Sequence, residues 1–90
     1  IEFTSENVSQ VTEAEGVYQL LDEEKSVIYI KGAINLRQEL EEQLEISDKA
    51  RYFMYEEEPM YTKRESEFLQ QYLAQHGEMP ESNRELEDLF

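Results

Sequence analysis

Cysteine and tryptophan are absent from this chain of 90 residues, histidine occurs once, and there are only two prolines and three glycines. Without cysteine there is no disulfide framework and no thiolate zinc site. The single His76 has no second ligand of its kind, and at the end of a predicted helix it reads as a cation placed where the helix dipole favours one. Gly16, Gly32 and Gly77 are too scattered for a phosphate-binding loop, a dinucleotide fingerprint or a nucleophile elbow. No apolar run approaches the ~20 residues of a membrane span, and no signal peptide is visible, so the expected location is the cytoplasm and a membrane is not an expected partner. Positive charge is scarce as well: eight Lys and Arg stand against 22 Asp and Glu, for a net charge of −14. Nucleic-acid binding usually leaves a basic footprint; here long-range repulsion opposes the approach of a polyanion. Lys31, Arg37, Lys63 and Arg64 are left to build any local basic face, and the remaining acidity reads as solubility.

Ninety residues make one small domain, and six tyrosines and four phenylalanines supply a modest core. The walk along the chain predicts minor structure over residues 1–13, where Thr4 or Ser5 can cap a helical turn. Residues 17–21 read as a strand, 22–26 as a polar hairpin connection and 27–31 as a β-branched, aromatic second strand. Gly32 is expected to break that strand. Asn35 then caps a helix whose Leu36, Leu40 and Leu44 recur every four residues, with Glu39, Glu41, Glu42 and Glu45 on its outer face. Residues 51–55 alternate as a third strand, ended by Glu56-Glu57-Glu58-Pro59. Thr62 and Glu65 have the spacing of a capping box; the helix they open has an apolar stripe of Leu69, Tyr72 and Leu73 with Phe68 alongside, and Gly77 stops it. Residues 78–83 read as a loop and 85–90 as a last turn or tail. The order β-β-α-β-α predicts an α+β domain, a small three-stranded antiparallel sheet flanked by helices. Its core is expected over residues 15–83, with 1–14 and 84–90 peripheral.

Gly16-Val17-Tyr18, then Val27-Ile28-Tyr29-Ile30, then Ala33-Ile34-Asn35-Leu36-Arg37 bring two phenols and a guanidinium into one strand-turn-strand-helix unit. In order and spacing this resembles the GIY-YIG nuclease superfamily, and within it the nuclease domain of the bacterial excision-repair incision subunit. The stretch from Thr62 to Gln70 is similar to the family's threonine-to-glutamate helix segment, and Pro80 and Asn83 to its closing proline and asparagine, so the likeness covers residues 15–83. It implies phosphodiester hydrolysis: Tyr18 and Tyr29 near the attacking water, Arg37 on the phosphate, Asn83 ordering the site, and one Mg²⁺ held by a glutamate. Two positions depart from the pattern. Lys31 and Gly32 stand in swapped order relative to the family's glycine-lysine pair. Gln70 occupies the position of the metal-binding glutamate, and an amide brings none of the charge that usually holds Mg²⁺.

Each candidate has a plain structural alternative. Tyr18 and Tyr29 can be core residues with a hydroxyl at the rim. Arg37, against the preference of a helix start, either holds a phosphate or pairs with a glutamate. Lys31, expected with Asn83 on the substrate side of the site, either blocks close phosphate approach, replaces the missing metal charge, or is an exposed strand end. Glu67, three residues before Gln70 on the same helix, is a substitute metal carboxylate or a solvated glutamate. The Glu56-Glu57-Glu58 run lacks the ligand pattern of a calcium loop. The expectation is therefore a nuclease-like domain that has lost its metal carboxylate and serves as a binding or accessory module, with a protein or, weakly, a nucleic acid as partner and no cofactor. The alternative is an active, Mg²⁺-dependent endonuclease with a rearranged metal site.

Overall fold

A computed structural model describes residues 1–83. It contains α1 (Ser5–Val8), β1 (Gly16–Leu21), β2 (Val27–Ala33), α2 (Leu36–Ile46), β3 (Tyr52–Glu57) and α3 (Tyr61–His76). The strands form one antiparallel sheet in the order β2-β1-β3. The class is the expected one, α+β with a three-stranded antiparallel sheet flanked by helices. The tail read at residues 85–90 lies outside the described residues.

Strand register decides which side chains meet. Tyr18 pairs with Lys31 on one side and Tyr55 on the other; Leu20 pairs with Tyr29 and Phe53. Side chains alternate across a sheet, so Gly16, Tyr18, Leu20, Tyr29, Lys31 and Phe53 share one face. The helix α2 covers it with Leu36 and Leu40, both fully buried. The segment read as peripheral adds Val8 and Val11 to the same core, held because the Thr4 side chain caps α1 by accepting from Asn7 N–H. A methyl group on Gly16 would meet the Glu56 carbonyl oxygen and lie 2.7 Å from Leu36 Cδ1, so only glycine lets the crossing close.

The other face carries Val17, Ile30 and Gly32 under α3, where a Gly32 Cβ would meet the Tyr61 ring and the Glu65 carboxylate. Three expectations change here. Gly32 lies inside β2, and the strand continues to Ala33, since its paired partner Val17 leaves no reason to stop. The third strand runs two residues further, through Glu56 and Glu57, because Gly16 and Val17 pair with them. The capping box does not form: α3 starts at Tyr61 with Met60 as an uncapped N-cap, and the Glu65 carboxylate is used by Gly32 N–H instead. The stripe on α3 is only half-buried, with Leu73 45% exposed. Gly77 ends the helix in the left-handed conformation, as expected. Residues 81–83, read as loop, are helical.

Candidate functional site

The hairpin and α2 bring Tyr18, Tyr29 and Lys31 together. The two phenol rings meet edge-on at a centroid distance of 6.1 Å. Diagonal neighbours on one sheet face are within reach of aromatic side chains, which is why the spacing of the two tyrosines was legible. Beside them, between β2 and α2, lies an open cleft of about 550 Å³. Leu20, Tyr29 and Lys31 form its sheet side, Glu39, Glu42, Gln43 and Ile46 its α2 side, and Asp48, Lys49 and Glu81 close its end.

Lys31 lies inside β2, two residues before its end, with its side chain 43% exposed. Its ammonium pairs with Glu39 at 3.2 Å at the mouth of the cleft. Burial alone would lower its pKa, but Tyr29, Glu39 and then Glu65 outweigh that and hold the ammonium above its ordinary value. Both phenols are driven the other way from a nucleophile's needs. Burial raises Tyr18 far above the usual phenol range, with Tyr29, Glu39 and Glu42 adding to it and the Gln43 side chain opposing. Burial also raises Tyr29, with Lys31 opposing and Glu39 and Glu65 reinforcing. At neutral pH both remain hydroxyl donors. The Tyr18 hydroxyl is enclosed and has no hydrogen-bond partner among the described residues; Gln43 is near it without adopting bonding geometry. Leaving such a group unpaired costs about 1–3 kcal/mol.

The remaining predicted residues lie elsewhere. Arg37, second residue of α2, turns back to the N-terminal segment: its Nε donates to the Val11 carbonyl at 2.7 Å and a terminal nitrogen meets Glu13 at 3.1 Å. This is the glutamate pairing that stood as its structural alternative. Gln70 is exposed on α3, which covers the face opposite the phenols. Glu67 pairs with Arg64, which also reaches Glu56. Asn83 holds the outer edge of β2, accepting from Ile30 N–H and donating to Ile30 C=O, both at 2.9 Å. That side chain imitates a neighbouring strand at the outer edge of β2. The run at 56–58 is divided among strand, ion pair and turn: Glu56 takes Arg64 and Glu58 accepts from Met60 N–H. His76 stacks on Tyr72 at 4.2 Å.

The carboxylates that act on the phenols are Glu39 and Glu42, which the sequence pattern assigns to a solvated face, and Glu65, which it assigns to a cap. Glu39 carried one usable signal, its place beside the Leu36–Leu40 stripe, where a side chain borders the buried face. Glu65 carried none, because its use at Gly32 depends on how α3 crosses β2. The donor set that the resemblance implies for Mg²⁺ does not fit: Gln70 is an exposed amide, Glu67 is neutralised by Arg64, and no three His, Cys, Asp or Glu among the described residues converge as ligands. No helix among the described residues is long and apolar enough to cross a membrane.

Residues 1–78 match the family model described as a domain of unknown function, DUF7508. The chain belongs to that family. No curated protein matches it.

Proposed function

We propose that this member of the DUF7508 family is a GIY-YIG-like domain that no longer cuts phosphodiesters and acts in the cytoplasm as a binding or accessory module linked to DNA processing. The observation that carries this reading is the separation of the parts. The phenols and Lys31 open toward α2, the Arg37 guanidinium is engaged by Val11 and Glu13, and Gln70 is an uncharged side chain on α3. Transition-state charge on a phosphate is stabilised only by donors that converge on it. Phenols held protonated by burial are poor bases for activating water.

The test is direct. Purified protein is incubated with duplex, nicked and branched DNA and with RNA, in Mg²⁺ and in Mn²⁺. No cleavage is expected. Cleavage that disappears in Tyr29→Phe overturns the proposal.

One observation favours a second reading, an active endonuclease with a rearranged metal site. The Glu65 carboxylate lies 3.2 Å from Gly32 N and is close enough to raise both Tyr29 and Lys31. On that reading Glu65→Gln abolishes a divalent-dependent cleavage that the natural protein shows, and Glu67→Gln leaves it intact.

A further inference from the structure

We propose that the groove between the β1–β2 hairpin and the C-terminal half of α3 binds a purine base, presented by a free nucleoside or by an unpaired nucleotide of a strand. The groove lies on the sheet face opposite the phenols and is independent of the binding-module reading: a domain that cuts would hold the same base there. It measures about 560 Å³, within the range of small-molecule sites. Phe68, Tyr72 and His76 recur every four residues of α3 and give it an aromatic wall. Gln71 and Gln75 line it from the same helix, and Gln19 from β1.

The rings are held in two separate stacks. The Arg64 guanidinium lies 4.2 Å from the Phe68 centroid, and His76 stacks on Tyr72 at 4.2 Å. The Tyr72 hydroxyl also donates to the Val27 carbonyl at 3.5 Å, which fixes its ring against β2. No ring contact joins Phe68 to Tyr72 among the described residues, although both are half-buried and line the groove. Every nucleobase has a π-face that such rings can stack on. The side-chain amides of Gln19, Gln71 and Gln75 make no hydrogen bond to another described residue. A carboxamide offers a donor and an acceptor side by side, which matches the N6–H donor and N7 acceptor of adenine.

The groove is also an exception in an acidic molecule. Its described lining contains no carboxylate, whereas the cleft beside the phenols contains Glu39, Glu42 and Asp48. A basic peptide would find nothing in the groove to neutralise it. A metal ion would find a single histidine and no anionic ligand. An alkyl chain would cover three amides and leave them without partners. A base covers the rings and meets the amides with its edge. Lys25, at the hairpin end, supplies one ammonium for a phosphate carried on the sugar. It stands alone against a net charge of −14, so the neutral nucleoside is the favoured source of the base.

Adenosine, adenosine 5′-monophosphate and a short oligo(dA) are titrated into the full chain, with affinity read by calorimetry and location by side-chain amide and aromatic chemical shifts. Saturable binding of adenosine is expected, with shifts confined to Phe68, Tyr72 and the amides of Gln19, Gln71 and Gln75. Phe68→Leu removes a ring but keeps apolar bulk, and should weaken binding about tenfold, as loss of a base stack does. Gln71→Ala with Gln75→Ala changes two exposed positions and should also weaken it about tenfold, as loss of a bidentate base contact does. Adenosine binding more tightly than the strand assigns the site to a free nucleoside. A tighter strand, weakened by Lys25→Ala, assigns it to a nucleic acid, and either result supports a base site. No saturable binding by any of the three, shifts outside the groove, or affinities that neither variant changes overturn the proposal. So does confined binding of an uncharged peptide in place of adenosine.

Discussion

The two faces of the sheet are built to different standards. On the α2 side, Tyr18, Phe53, Leu36 and Leu40 are at 0% exposure and interlock with Val8 and Val11. On the α3 side, Val17 and Ile30 are buried from the sheet, yet no residue of α3, all of it described, is fully buried. Polar links tie that helix to the sheet: Glu65 to Gly32 N–H, Arg64 to Glu56, and the Tyr72 hydroxyl to the Val27 carbonyl. Half-exposed ion pairs contribute little, about 0–1 kcal/mol each. The stability of the domain therefore sits on the face that also carries the cleft, and α3 is an addition to it.

The sharpest way to break this contrast is to truncate one leucine on each helix. Leu40→Ala removes a fully buried side chain from α2 and should cost about 3 kcal/mol. Leu73→Ala on α3 should cost under about 0.5 kcal/mol, as exposed positions do. Urea denaturation followed by circular dichroism measures both. Similar losses would mean that α3 is as integral as α2.

The glycines give the next-largest effect. Gly16→Ala drives a methyl into the Glu56 backbone carbonyl, which cannot swing aside, and against the fully buried Leu36 side chain, so about 2 kcal/mol is expected from overpacking. Gly77→Ala meets nothing within 4 Å but must hold a φ of 76°, which costs about 1 kcal/mol. A Gly77 variant that is the worse of the two would contradict the assignment of strength to the α2 face.

Asn83→Ala comes third. It strips both hydrogen bonds from the outer edge of β2, and because that edge is partly solvated the cost should be about 1 kcal/mol. Hydrogen exchange at the Ile30 amide should speed up selectively. An unchanged exchange rate would show that the edge is closed by something other than this side chain.

What the sequence disclosed follows the same division. Period-two alternation, the Leu36–Leu40 stripe and the Asn35 cap are local signals, and they gave the three strands, α2 and the meeting of Tyr18 with Tyr29. Local patterning is legible when the residues that carry it are the ones buried. The failures at the site are matters of long-range docking. Arg37 was paired by Glu13, 24 positions earlier; Glu65 was drawn from its cap to Gly32, 33 positions away. Neither partner could be chosen from neighbours in sequence, because 22 carboxylates compete on equal local terms in so acidic a chain. The cleft itself was missed for the same reason: it needs Ile46 at the end of α2 and Asp48 just beyond it to line the same space as Tyr29.

The smallest effect at neutral pH is the most informative about the site. Tyr18→Phe deletes a hydroxyl that has no partner among the described residues, so stability at pH 7 should rise by up to about 1 kcal/mol, where losing a satisfied hydroxyl would lower it. At high pH the difference should widen. The folded phenol is raised above its ordinary value of 10.0, chiefly by burial, so the neutral form is favoured in the native state. Below pH 10.0 both native and unfolded chains hold this proton, and the stabilisation is fully present. As pH climbs past that point the unfolded chain releases it while the folded chain keeps it, and stability falls. Tyr29, shifted in the same direction, remains in the variant and preserves part of the slope. Denaturation midpoints measured across the alkaline range should therefore converge on a shallower decline in Tyr18→Phe. An unchanged slope would mean that the Tyr18 hydroxyl already has a partner in solution, and the unpaired donor beside the cleft would lose its meaning.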